Sequence, residues 1–136
     1  MRVFLDTNII VGAFTTRGLC ADLFRKILSA HTLVISKHIL AETKDLLIRR
    51  FKVPEETVTE IIALLEKQEM APLPPTLPQI VIRDVDDLPV VAEAIEAKAE
   101  YLVSGDKDIP SLVPLREIRI VTPREFWGVI SKICPL

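Results

Sequence analysis

The chain has 136 residues, 49% apolar and 26% charged, enough for one hydrophobic core without disulfide staples and too few for two ordinary domains. A net charge of −2 excludes a uniformly basic surface for nucleic acid, and Cys20 and Cys134 suit neither a disulfide framework nor a zinc-ligand pattern. A reduced, cytoplasmic setting is expected, since Asp6 interrupts the first apolar run and Pro72, Pro74, Pro75 and Pro78 break the longest uncharged stretch, residues 70–82, which leaves no signal peptide or membrane span.

Arg2 to Leu5 is a short apolar run that ends at Asp6 and predicts a buried strand. Ile9 to Phe14 begins a helix that turn-prone residues from Thr15 to Gly18 interrupt. Leu19 to Leu28 has helical spacing, and Leu33 to Ile35 is a second strand. Ser36 suits the N-cap of a helix from Lys37 to about Arg50. Pro54, Glu55 and Glu56 open another, with Val58, Ile61, Ile62 and Leu65 on its apolar face.

Ala71 to Pro78 reads as an extended connector, and Ile80 to Ile82 as a third strand. A helix from Asp87 to Ala99 follows, then a strand from Tyr101 to Val103 that breaks at Ser104, Gly105 and Asp106. Ile118 to Val121 is the last strand, and Pro123 opens a helix through about Ile130. Apolar strands alternating with amphipathic helices indicate an α/β fold, a parallel sheet covered on both faces, in a single domain spanning 1–136. Ligands of such sheets bind beyond the carboxyl ends of the strands.

The carboxylates follow that rule. Asp6 directly follows the first strand, and Asp106 stands three residues beyond Val103. Either alone also fits an ordinary strand exit. Glu42 lies at the margin of the arc formed by Ile39, Leu40, Thr43, Leu46 and Leu47, where a bland boundary glutamate is the competing reading. Asp84, Asp86 and Asp87 precede a helix, and capping accounts for one or two of them but not three. Clustered carboxylates repel one another without a cation. Oxygen-only donors suit Mg²⁺ or Mn²⁺, which favour hydrolysis of phosphodiesters.

Between residues 17 and 52 stand eight Lys or Arg against three acids. Lys37, Lys44, Arg49 and Arg50 are the candidates for holding a nucleic-acid backbone there, against the alternative of solvated helix faces. No Walker motif, glycine-rich dinucleotide turn or Cys/His zinc set occurs, and His31 and His38 show no nucleophile arrangement.

Leu5-Asp6-Thr7-Asn8 resembles the opening of a PIN domain, a nuclease family that includes many prokaryotic toxins. Ser36 to Glu42 is similar to its second motif, Arg83 to Asp87 with Ala92 and Ala94 to its third, and Tyr101 to Asp108 to its fourth. Ile120 to Phe126 resembles the close of one branch of small prokaryotic members. The resemblance covers nearly the whole chain and implies a parallel sheet of about five strands sandwiched by helices.

It further implies that Asp6, Glu42, Asp87 and Asp106 form the acidic metal-binding and catalytic set. Asn8 and Ser104 would be polar supports and Asp108 an additional ligand. Val85 stands where the family often has proline, so Asp84 and Asp86 remain rivals of Asp87 for the third corner.

The implied function is Mg²⁺- or Mn²⁺-dependent hydrolysis of single-stranded RNA, with an antitoxin protein as partner. The apolar content suggests a homodimer. Two other readings stand beside it. One is a PIN-like module that binds RNA or protein without cleaving. The other is a phosphatase of the haloacid-dehalogenase kind, which needs an aspartate where this chain has Asn8.

Overall fold

A computed structural model describes residues 1–71, 93–105 and 118–133. The elements begin with strand β1 (Arg2–Leu5), helices α1 (Thr7–Thr15) and α2 (Leu19–Ala30), and strand β2 (Thr32–Ile35). Helices α3 (Lys37–Arg49) and α4 (Glu55–Glu66) follow, then strand β3 (Glu69–Met70). Residues 93–96 are helical (α5), and β4 (Tyr101–Val103), β5 (Arg119–Val121) and α6 (Pro123–Ile133) complete the order.

The five strands make one sheet in the order β3-β2-β1-β4-β5, and every pairing is parallel. Val3, Phe4 and Leu5 are buried, as are Leu33, Val34 and Ile35 beside them and Leu102 and Val103 on the other side. Strands packed by helices on both faces must be apolar throughout, which is why these runs do not alternate. Full burial of each large side chain contributes about 1.5–3 kcal/mol.

The chain leaves β1 toward β2 and β3, then returns to β1's other side to lay down β4 and β5. Strand order therefore reverses between β1 and β4. In open α/β sheets, that crevice beyond the strand carboxyl ends is where ligands bind.

Local chemistry sets the helix starts. Ser36 Oγ accepts from Ile39 N at 3.0 Å, capping α3. Thr122 and Glu125 form a reciprocal box at the start of α6, with Thr122 N donating to Glu125 Oε1 and Glu125 N to Thr122 Oγ1. Pro54 precedes α4 as its cap, and Glu55 and Glu56 occupy the first turn. Below the sheet, Arg2 donates to the Ala97 carbonyl from Nε and Nη2 and pairs with Glu69 at 2.7 Å, so one guanidinium ties the sheet edge at β3 to the turn before β4.

One strand is additional to those expected from sequence. The strand beyond β2 is Glu69–Met70, paired with Val34 and Ile35. It has two residues at a sheet edge, one exposed, and so carries no apolar signature. The connector beyond Ala71 and the strand expected at Ile80–Ile82 lie outside the described residues, as does most of the helix expected from Asp87.

Thr43 on the buried face of α3 is fully withdrawn from solvent, and its hydroxyl has no partner among the described residues. A buried hydroxyl without a hydrogen bond costs about 1–3 kcal/mol, and valine has the same shape. Thr43→Val should therefore stabilise the protein by about 1 kcal/mol, seen as a higher urea midpoint with an unchanged slope.

Candidate active site

The carboxyl end of β1 sets the geometry. Asp6 N donates to the Val103 carbonyl at 3.0 Å, which carries the β1–β4 ladder one residue beyond β1. Asp6 and Ser104 consequently stand side by side at the mouth of the crevice. Ser104 Oγ donates to Asp6 Oδ2 at 3.0 Å, and Ser104 is itself fully buried. Asp6 also caps α1, its Oδ1 accepting from Thr7 N at 2.7 Å.

Thr7 joins this aspartate to the second acid. Its buried hydroxyl donates to Glu42 Oε2 at 2.9 Å. Glu42 is half-buried on α3, at the margin of the face formed by Ile39, Thr43 and Leu47. Each of these carboxylate oxygens receives at least one donor.

Glu42's other oxygen leads to a residue pair that sequence reasoning missed. His38, one turn earlier on α3, pairs through Nε2 with Glu42 Oε1. Its Nδ1 faces Glu93 Oε1 at 3.0 Å. Glu93 is 4% exposed. A ring between two carboxylate oxygens satisfies both only when each nitrogen carries a proton. Burial of His38 opposes that charge, but the hydrogen bond to Glu93 and the charges of Glu42 and Glu93 outweigh it, and the pKa lies above the usual histidine range.

Signals for these residues were faint. Histidine and glutamate four apart on a helix share a face, and Glu93 falls on the apolar stripe of Val90, Ala94 and Ala97. Thr7 carried no signal beyond its place after Asp6.

The remaining candidates divide by position. Asn8 is exposed on the first turn of α1. Asp84, Asp86, Asp87, Asp106 and Asp108 lie outside the described residues. Lys37, Lys44, Arg49 and Arg50 are all exposed on or just beyond α3, but the helix spreads them apart. Lys37 is at the site end, whereas Arg49 lies twelve residues on, about 18 Å along the axis at 1.5 Å per residue. Arg49 pairs with Asp45, and Arg50 lies over the Phe51 ring. Lys44 lines a groove between α3 and α4 with Ile48, Val58 and Ile62. Only Lys37 belongs to the same end of the sheet as Asp6.

An all-parallel α/β sheet with acidic, oxygen-donor side chains at its reversal point is the architecture now defined. The sequence profile described as "PIN domain" matches residues 2–108, and the chain belongs to the PIN-domain family. Among solved structures, a chain of VapBC2 from Rickettsia felis, crystallised with a DNA fragment from its promoter, superposes with a TM-score of 0.63 at 16% identity, covering 90% of this chain and 98% of that one. VapC20 of Mycobacterium tuberculosis, a sarcin-ricin loop cleaving toxin, superposes with a TM-score of 0.57 at 17% identity, covering 86% and 98%. Comparison with curated protein sequences returned no significant match.

Two measurements test this geometry. Ser104→Ala removes a buried donor to Asp6 and should cost about 1–3 kcal/mol in denaturant unfolding. For His38, a folded-state pKa above the unfolded value means the folded protein holds the proton more tightly. Its stabilisation is complete below about pH 6.5 and fades as pH rises through the folded value. The stability gap between wild type and His38→Ala should accordingly narrow from pH 6 to pH 8.

Proposed function

We propose that this protein is a divalent-cation-dependent ribonuclease that hydrolyses phosphodiester bonds of single-stranded RNA, and that it is the toxin of a toxin–antitoxin pair. The observation that carries this reading is the Thr7 bridge, which draws Asp6 from the end of β1 and Glu42 from α3 into one site at the sheet's reversal point. Support for RNA as substrate and for an antitoxin partner comes from the VapC20 and VapBC2 likenesses.

The donor set fits a hard cation. Asp6 and Glu42 present carboxylate oxygens, with the Thr7 and Ser104 hydroxyls beside them, and Mg²⁺ and Mn²⁺ prefer oxygen ligands. In this reading Asp6 and Glu42 would hold the cation together with Asp87, Asp106 and Asp108. When bound, such an ion polarises a phosphoryl oxygen and makes a water molecule more acidic.

The protein's own share is orientation. Thr7 and Ser104 fix the Asp6 and Glu42 carboxylates before substrate arrives, which lowers the reorganisation needed during reaction. Lys37, at the same end of α3, is suited to an RNA phosphate, and Lys44, Arg49 and Arg50 would extend contact along the strand.

The test incubates purified protein and an Asp6→Asn variant with single-stranded RNA and Mg²⁺ or Mn²⁺. Wild type should cleave, and the variant should be slower by more than about 100-fold, the scale of losing a preorganised electrostatic group. Equal cleavage by both overturns the site. Mn²⁺ should also raise the unfolding temperature of wild type in a dose-dependent way.

A further inference from the structure

Glu93 is the most deeply buried carboxylate among the described residues, at 4% exposure. Burying an acid is costly unless a partner holds it. It is the first described residue of α5. Its side chain faces His38 Nδ1 at 3.0 Å, across 55 residues of sequence.

From there a continuous chain of polar contacts runs into the site. His38 Nε2 holds Glu42 Oε1, Thr7 Oγ1 donates to Glu42 Oε2, and Thr7 N donates to Asp6 Oδ1. Both ring nitrogens of His38 are engaged by carboxylate oxygens, one from Glu42 and one from Glu93. The ring fixes one oxygen of Glu42 as Thr7 fixes the other, and Glu93 fixes the ring.

We infer that Glu93 and His38 are positioning residues for Glu42, with Glu93 acting only through His38 and neither touching cation or RNA. The inference rests on the functional reading above, in which Glu42 is a cation ligand. Groups that hydrogen-bond a ligating side chain tune its affinity, commonly by about 10–100-fold when removed. A plain structural tie between α3 and α5 would instead affect folding alone.

The experiment measures Mn²⁺ affinity by calorimetry, and RNA cleavage kinetics, for wild type, Asp6→Asn, Glu93→Ala, Glu93→Gln, His38→Ala and the His38→Ala/Glu93→Ala double variant. Glu93→Ala should weaken Mn²⁺ binding by about 10–100-fold and lower kcat at saturating Mn²⁺, with KM for RNA nearly unchanged. Glu93→Gln keeps an oxygen acceptor for Nδ1–H and should recover most of the affinity. It is also isosteric, so it reports on the site even if Glu93→Ala folds poorly.

In the double variant, loss of Glu93 should add nothing to loss of His38, because two groups acting in series are not additive. Wild-type Mn²⁺ affinity in Glu93→Ala, or full additivity in the double variant, overturns the inference while leaving the ribonuclease reading intact. Equal Mn²⁺ responses from wild type and Asp6→Asn would overturn both.

Discussion

The hydrogen bond from the Asp6 amide to the Val103 carbonyl is the constraint on which the site depends. It extends the central parallel pairing one residue past β1 and so decides what lies at the mouth of the crevice. Without it, Asp6 would be a helix cap at a strand exit. With it, Asp6 is locked beside Ser104 and turned toward Glu42 through Thr7. Backbone pairing in the sheet thus becomes side-chain placement in the site.

The same residues carry two duties. Asp6 caps α1 while facing the crevice, and Ser36 caps α3 one helical turn before Glu42's own turn begins. Helix α1 is therefore started by a residue that also frames the site. Substitutions at such positions have mixed effects on fold and chemistry. Thr7 is different, since its hydroxyl faces Glu42 while its amide alone serves the cap.

Much of the fold was legible in sequence because parallel strands buried on both faces leave short, wholly apolar runs. Those of β1, β2 and β4 stand out between amphipathic helices, whereas β5, an edge strand, carries the exposed Arg119. β3 was not legible, since two residues at an edge need no hydrophobic pattern. The positions of Asp6, at a strand end, and Glu42, at the margin of a helix face, followed from local pattern. The His38–Glu93 contact did not. It joins residues far apart in the chain, and pairwise geometry across such a distance leaves only indirect marks, here an acid on an apolar stripe. The basic segment from Arg17 to Lys52 looked like one cluster in sequence, whereas α3 distributes its charges along a rigid rod.

The 98 residues that separate Ser104 from Asp6 also set an order of events during synthesis. β1 and β2 precede β4 in the chain and are synthesised before it. β4 follows only after a delay of about 5–20 s at ordinary elongation rates. Through that interval β1 has one edge unpaired, Asp6 lacks Ser104, and the Val103 carbonyl does not yet exist. A chain that stops short of β4 therefore lacks both contacts that fix Asp6 across the sheet, the Val103 carbonyl and the Ser104 hydroxyl.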